Sequence, residues 1–576
     1  ALFVVPSFWD WSQYRAEFER QARVALRLPV KVTGDTKIRL LPTPKVAFSE
    51  VQLGQDGEKL SGSIQRFEMD VELAPLLKGE VRVIDMRVLE PEMVLNVVDD
   101  AVLDIPFSDL EESENTAGIS KVVFEKIEVV GGSFTMKDEP ADRTLSMTGL
   151  NATLSAKSIS GPWRAEGSAN YRSSKRPDGE EIFSFKLNTG TVQDDGGFRT
   201  RLELQSKSYP VDVEIAGDTY VEDGVPSLAG QFKLIQRLNE ERAQPNGFFD
   251  FWEASGALDL SLDAITSEEF ELRLADPVDP YKVTGTAELE LTGDEQFQII
   301  ADGEQADIKR FSKWLPKQKA TSAQDRLAAF SEFVRSIPSL ERRGTISLSM
   351  PAIVAESGVV RNVVLDAQPI LSANDGDEDA RWKIDNFSAQ LAGRTELRAS
   401  GTLKLSEALD FKGALVVATN QPSGFAALFR EDIDPAIRNL RRAGLAADVE
   451  LNAKRQVFEN MELDLNGDLL KGTVSQSNSD GRTDLDLSLK GAVLDLDAMN
   501  ALSALFVDDS NTSSRNIRAD IAVEGLQFAG LKTGAVDAKL SLLDDALDIE
   551  TLSAQSVAGV NIVASGDTDN WRSPQS

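Results

Sequence analysis

The chain has 576 residues, 94 acidic against 61 basic side chains, a net charge of −33, and neither cysteine nor histidine. Disulfides, thiolate nucleophiles and imidazole-based metal or acid–base chemistry are therefore excluded. The acidic balance also argues against a nucleic-acid surface, which needs cations to neutralise phosphate. Hydrophobic residues at 41% and aromatics at 7% suffice for a folded protein.

Residues Ala1 to Val5 are apolar and precede Pro6. They are too few for a bilayer span, which takes about 20 residues, and read as the tail of a longer hydrophobic segment. Phe8, Trp9, Trp11 and Tyr14 follow. Aromatics in such a cluster suit a membrane interface and equally the packed stripe of an amphipathic helix. Asp10 is a candidate N-cap for a helix to about Leu26, with Trp11, Tyr14, Phe18, Ala22 and Ala25 at helical spacing.

Strand signals begin after Gly34: Ile38 and Leu40, then Val46, Phe48, Val51 and Leu53, then Phe67, Met69, Val71 and Leu73. LAPLLKGE reads as a short helical turn ended by Gly79, and Pro91 separates the strand at Val81–Met86 from one at Met93–Val97. Residues 108–118, SDLEESENTAG, are acidic and poor in apolar residues, the best boundary in the chain. Beyond it, Gly131-Gly132 suits a tight turn or bulge.

From there to residue 305 nearly everything reads as strand and turn. Residues 306–340 take helical spacing at Leu327, Phe330, Phe333 and Val334, broken by Pro316. Shorter helical inserts fall near 423–442 and 497–506. GTAELEL, GTISLSM, GTLKLSE and GALDLSL share one pattern, a glycine that frees the backbone for a turn ahead of alternating aliphatics.

That alternation has period two, so each run puts its large apolar side chains on one face. Candidate rows are Leu202 and Leu204; Val211, Val213 and Ile215; Leu258, Leu260 and Leu262; Leu289 and Leu291; Ile346 and Leu348; Leu403 and Leu405; Leu463 and Leu465; and Leu485, Leu487 and Leu489. The result is a mainly β chain with one greasy and one wet face. A stacked sandwich would hide the greasy face, but sandwiches close at roughly 100–250 residues and then show linkers. The other solution is an elongated, one-sided antiparallel sheet curved into a hydrophobic groove, with an N-terminal helix and a few helical inserts. Such a groove either holds acyl chains or is closed by those inserts.

No catalytic motif is present: no nucleophile elbow, no phosphate loop, no dinucleotide fingerprint. The acidic run NDGDEDA at 374–380 lacks the ligand spacing of a calcium loop and reads as a solvated hairpin tip. No metal site and no cofactor is expected.

Two segments carry a family resemblance: WDWSQYRAEFERQARVALRLPVKVTGD with TKIRLLPTPKVAFSEVQLG, and IQRFEMDVELAPLLKGEVRVIDMRVLEPEMVL. They resemble the start of the AsmA family, and GGSFTMKD, LNATLSAKSISGPWRAEGSANY and the tail from IAVEGLQFAG are similar to its later repeats. The resemblance implies a non-enzymatic periplasmic β-groove protein, tethered to the inner membrane by an N-terminal transmembrane helix mostly absent from this sequence. It implies phospholipid acyl chains as cargo, transferred toward the outer membrane with an outer-membrane partner. The rival expectation is a periplasmic scaffold or assembly factor with a closed β core. On this reading residues 1–107 form an N-terminal helix-plus-sheet region, 108–118 an acidic linker, 119–305 groove repeats, 306–340 a helical insert and 341–576 further repeats.

Overall fold

The computed structural model describes residues between 15 and 569, outside 24–27, 73–79, 98–120, 237–250, 309–341, 372–379, 506–514 and scattered gaps of one to three residues. Phe8, Trp9, Trp11 and Tyr14 lie outside the described residues, as do the acidic linker and nearly all of the 306–340 insert. The chain is mainly β, with 31 strands and three short helices among the elements defined. It divides into two units: Ala1–Ala243 with Phe251–Arg273 and Thr286–Gln296, and Gln244–Asp250 with Leu274–Gly285 and Phe297–Ser576.

In the first unit, β1 (Val30–Val32) and β2 (Thr36–Arg39) both pair with β3 (Lys45–Leu53). The ladder continues through β4 (Leu60–Val71), β5 (Glu80–Val97), β6 (Lys121–Asp138), β7 (Arg143–Ala156) and β8 (Trp163–Ser173). It runs on through β9 (Arg176–Thr189), β10 (Phe198–Ser206), β11 (Val211–Glu222), β12 (Val225–Gln236) and β13 (Trp252–Leu260). β14 (Ala264–Leu274) and β15 (Tyr281–Glu290) follow in the chain. Arg15, Ala16, Glu19, Arg20, Ala22 and Arg23 are helical. Ala22 packs on the cluster of Val30, Val32, Phe48, Val51 and Leu53, and Glu19 accepts from the Val32 amide at 2.8 Å.

The second unit holds β16 (Phe297–Gly303), β17 (Ala306–Asp307), β18 (Gly344–Ala355), β19 (Gly358–Ile370), β20 (Ala380–Leu391), β21 (Thr395–Leu405) and β22 (Leu409–Thr419). Helices α1 (Pro422–Ala426) and α2 (Pro435–Arg438) lead to β23 (Ala443–Leu451), β24 (Arg455–Leu465), β25 (Asp468–Ser479) and β26 (Arg482–Asp495). Helix α3 (Leu496–Ser503), β27 (Arg515–Phe528), β28 (Leu531–Lys532), β29 (Val536–Leu543), β30 (Ala546–Val557) and β31 (Val560–Thr568) complete it. Asp434 and Asp495 cap α2 and α3 through the amides of Ala436 and Ala498.

Among the described residues most strand pairings are antiparallel, but β5 with β6, β16 and β17 with β18, and β26 with β27 are parallel. Antiparallel neighbours are joined by hairpins, whereas parallel ones need a crossover that returns the chain along the strand. The three crossovers are residues 98–120, 308–343 and 496–514. All three contain stretches that sequence composition sets apart from the hairpin pattern.

Two local expectations are corrected. Pro91 does not separate strands: β5 is continuous across it, with Pro91 opposite Ile64 and Glu90 at φ +46°. Glu50, Glu90, Gly131 and Gly149 take positive φ in β3, β5, β6 and β7, and each resets the alternation, so that Phe48 and Val51, three apart, are both buried. A proline fits at such an irregular step, where the ladder forgoes one donor.

The recurring glycines are also not turn residues. Gly256, Gly285 and Gly401 lie within β13, β15 and β21, and Gly344 opens β18. They occupy the apolar face, and an added Cβ would clash with the carbonyl oxygens of Glu269, Ile300, Lys412 and Phe297 respectively. Gly217 faces Gly230 across β11 and β12 in the same way, and Gly401 faces Gly413 across β21 and β22. Missing side chains let neighbouring strands close up on that face. Replacing Gly217 by valine is expected to cost roughly 2 kcal/mol or more; a urea midpoint unchanged from wild type would show that the approach is not required.

The polar face is tied by cross-strand ion pairs such as Lys45–Glu68 at 2.9 Å and Arg87–Glu128 at 2.8 Å. The hydrogen bond from Lys45 holds the Glu68 carboxyl below its usual range. Its contribution is full above the unfolded carboxyl value and is lost as pH falls through the lower folded one. Glu68→Gln is expected to cost about 0.5 kcal/mol near neutrality, a difference that vanishes only once pH has fallen below the lowered folded value; a pH-independent difference in denaturation midpoints would contradict the assignment.

Candidate functional site

The ladder registers decide which side chains share a face. Phe185, Leu204, Val213 and Leu234 form one row across β9 to β12. Leu187, Leu202, Ile215 and Phe232 form the next. All eight are half-buried, whereas Ser184, Lys186 and Ala216 on the other face are exposed. Among the described residues, no buried hydrophobic cluster includes any of the eight.

Polar groups bound this belt. On one margin Glu181 accepts from Ser206; on the other the Thr200 and Thr219 hydroxyls meet at 2.7 Å. Glu181 to Thr189 spans about 26 Å of strand, enough to lay out an extended acyl chain between polar margins. Of the predicted rows, Leu202, Leu204, Val213 and Ile215 lie within the belt and Val211 at its edge opposite Gln236. Leu258 and Leu260 continue the same face on β13, opposite Gly230 and Leu228, and Leu258 is buried. Leu289 is half-buried on β15 between exposed Glu288 and Glu290. Leu262 and Leu291 lie outside strands, in the turns that follow β13 and β15.

In the second unit Ile346 and Leu348 are half-buried, opposite Ala367 and Leu365. Leu403 pairs with Trp382 and Phe411, and Leu405 is buried beside them. The remaining rows are filled by the protein itself. Leu489 is 1% exposed in a cluster with Leu470, Leu494, Val523 and Val536, against which Leu487 and Leu463 pack. Leu465 is 2% exposed with Leu440 and Ala498 of α3. Leu485 faces Gln476 and Ile517 at the end of that core.

Sequence reasoning missed Phe183, Phe185, Leu187, Phe232 and Leu234. The signal is present in the sequence, since FSFKL and GQFKL alternate as plainly as the candidate rows. It also missed a buried ion pair, Asp138 with Arg143, whose side chains are 8% and 7% exposed. Charges flanking a hairpin look solvated in sequence. Among the described residues, the groups whose pKa values are shifted are members of ion pairs or Tyr281. Burial pushes the Tyr281 hydroxyl up to about 12, so it stays a neutral donor to the Glu304 carbonyl at 2.8 Å.

Residues 1–195 match the model of the AsmA family. Over these residues the chain is similar to the AsmA family. The AsmA match spans the N-terminal helical residues and β1 to β9, so it reaches the first strand of the open belt. No curated protein matches the chain.

The two kinds of lining respond differently to truncation. Leu489→Ala is expected to cost about 2–5 kcal/mol, as a cavity in a closed core does. Leu204→Ala should cost under about 1.5 kcal/mol, because its side chain is not enclosed by packing. Equal losses in denaturant unfolding would mean that the belt is as filled as the core.

Proposed function

We propose that this protein is a non-enzymatic lipid carrier of a bacterial envelope, holding acyl chains against the belt on β9 to β12. The observation that carries this reading is two continuous rows of Phe, Leu, Val and Ile, half-exposed and bounded by polar margins. Each methylene transferred from water to such a lining contributes about 0.8 kcal/mol, so one tail gains on the order of 10 kcal/mol. The AsmA-family match of residues 1–195 supports an envelope-associated, lipid-transport type of role. The finer reading is transfer of phospholipid between the inner and outer membranes from a periplasmic position, with anchoring to the inner membrane. No described helix is long and apolar enough to cross a membrane, so anchoring falls to chain outside the described residues.

A second reading, an assembly scaffold with a closed core, is favoured by the filled rows around Leu489 and Leu465. The two divide along the chain, and one experiment separates them. Protein purified without detergent should carry phospholipid detectable by mass spectrometry, and a photo-crosslinker at Leu204 should capture it while one at Leu489 does not. No bound lipid and no capture at Leu204 would leave the scaffold reading standing.

A further inference from the structure

The Asp138–Arg143 pair joins parts of the first unit that the ladder holds far apart. Both residues sit at the β6–β7 hairpin, on the rim that also carries the β8–β9 and β10–β11 connections. Arg143 donates from Nε to Asp138 at 2.8 Å. It also donates to the Leu291 carbonyl at 2.8 Å and the Leu262 carbonyl at 3.3 Å. Leu262 follows β13 on the opposite rim, since the C-terminal end of β13 pairs with the N-terminal end of β12. The Leu291 amide bonds the Asp263 carbonyl at 2.7 Å, which places both acceptors together.

Between the two rims run β8 to β12, which carry the open belt. Asp138 and Arg143 continue the apolar face of their strands: Val97, Asp138 and Arg143 are in register, next to the row of Leu95, Met136 and Leu145. The sheet is therefore rolled toward its apolar side, with two diagonal corners pinned. Leu262 completes the corner by packing against Leu95 and Val97.

This closure is small beside the ladder. Among the described residues it rests on one ion pair, two carbonyl acceptors and one leucine, all from turns and strand ends. The turn at 261–264 holds its own shape: the Ser261 hydroxyl accepts from the Asp263 and Ala264 amides, and the Ser261 amide donates to Ala264. The rims can thus part without either hairpin unfolding, water replacing Arg143 at the carbonyls. Such sub-global opening is the expected behaviour of a contact built from few groups.

A polar headgroup dragged through the apolar rows would be desolvated without partners. It must ride outside the roll, through the seam between the rims, and at this corner the seam is shut. We propose that the Asp138–Arg143 bridge is a gate, and that lipid passes along the belt only when the rims part there. This rests on the reading of the belt as a lipid path.

The test uses the absence of cysteine from the chain. Leu95→Cys with Leu262→Cys, or Val97→Cys with Leu262→Cys, supplies one pair that oxidation or a short reducible crosslinker locks. Vesicle-to-vesicle transfer of a fluorescent phosphatidylethanolamine is expected to slow by roughly tenfold or more when locked and to recover on reduction. Equal rates locked and reduced overturn the gate while leaving the lipid path intact; no transfer in either state removes both.

Discussion

A sheet with one apolar face must have that face covered, and the rest of this structure follows from how the chain meets that demand. A second sheet would be the common solution. This chain instead covers its apolar face differently along its length. At the start, helical residues around Ala22 lie on β1 and β3. In the second unit the rows of β23 to β30 are drawn into a core from which Leu470, Leu489 and Leu494 show almost no surface. On β9 to β12 rows of large side chains stay half-buried and, among the described residues, join no buried cluster. The difference is not in composition, since Leu202-Glu203-Leu204 and Leu485-Asp486-Leu487 are the same kind of run. It lies in what the neighbouring segments supply.

Glycine on the apolar face makes the close approach possible. Cβ atoms on the inner side of a bent sheet crowd together, and Gly217 with Gly230 or Gly401 with Gly413 removes two at once. The aligned positive-φ residues Glu50, Glu90, Gly131 and Gly149 do a second job. They keep apolar side chains on the same face through strands as long as the 18 residues of β5 and β6. Without that reset, strict alternation would carry the pattern through unbroken, and Phe48 and Val51 would point to opposite sides.

The alternation and hence the mainly β, one-sided character were legible in the sequence, because period two is a direct consequence of strand geometry. The helical inserts near 423–442 and 497–506 were legible too, where the structure places α1, α2 and α3. What sequence could not decide was which rows are filled. Leu463 and Leu204 carry the same local signal, and only tertiary contacts separate them: α3 reaches the first, and among the described residues no buried cluster reaches the second. The glycines misled for a related reason. A glycine before alternating aliphatics suits a turn, and nothing local shows that a neighbouring strand will press against it. Asp138 and Arg143 were invisible because burial of a charge pair depends on a turn more than 100 residues away.

The crossovers link topology to coverage. A meander of hairpins never has to pass over its own face, but a parallel joint does, because the chain leaves one rim and must re-enter at the other. The β26–β27 connection makes this passage on the apolar side. Its helix α3 buries Ala498 beside Leu440 and Leu465, while Leu496 and Met499 pack on the core around Leu489. The same segment that reverses the strand phase therefore closes the rows beneath it. The α1–α2 insert lies between antiparallel strands, where a tight turn would have served, and it nevertheless adds Phe425, Leu428 and Ile437 to a cluster that includes Leu505 just past α3. That insert is not required by topology. Its presence beside α3 argues that filling this part of the face is itself the purpose, and that the open belt on β9 to β12 is left open by the same economy of placement.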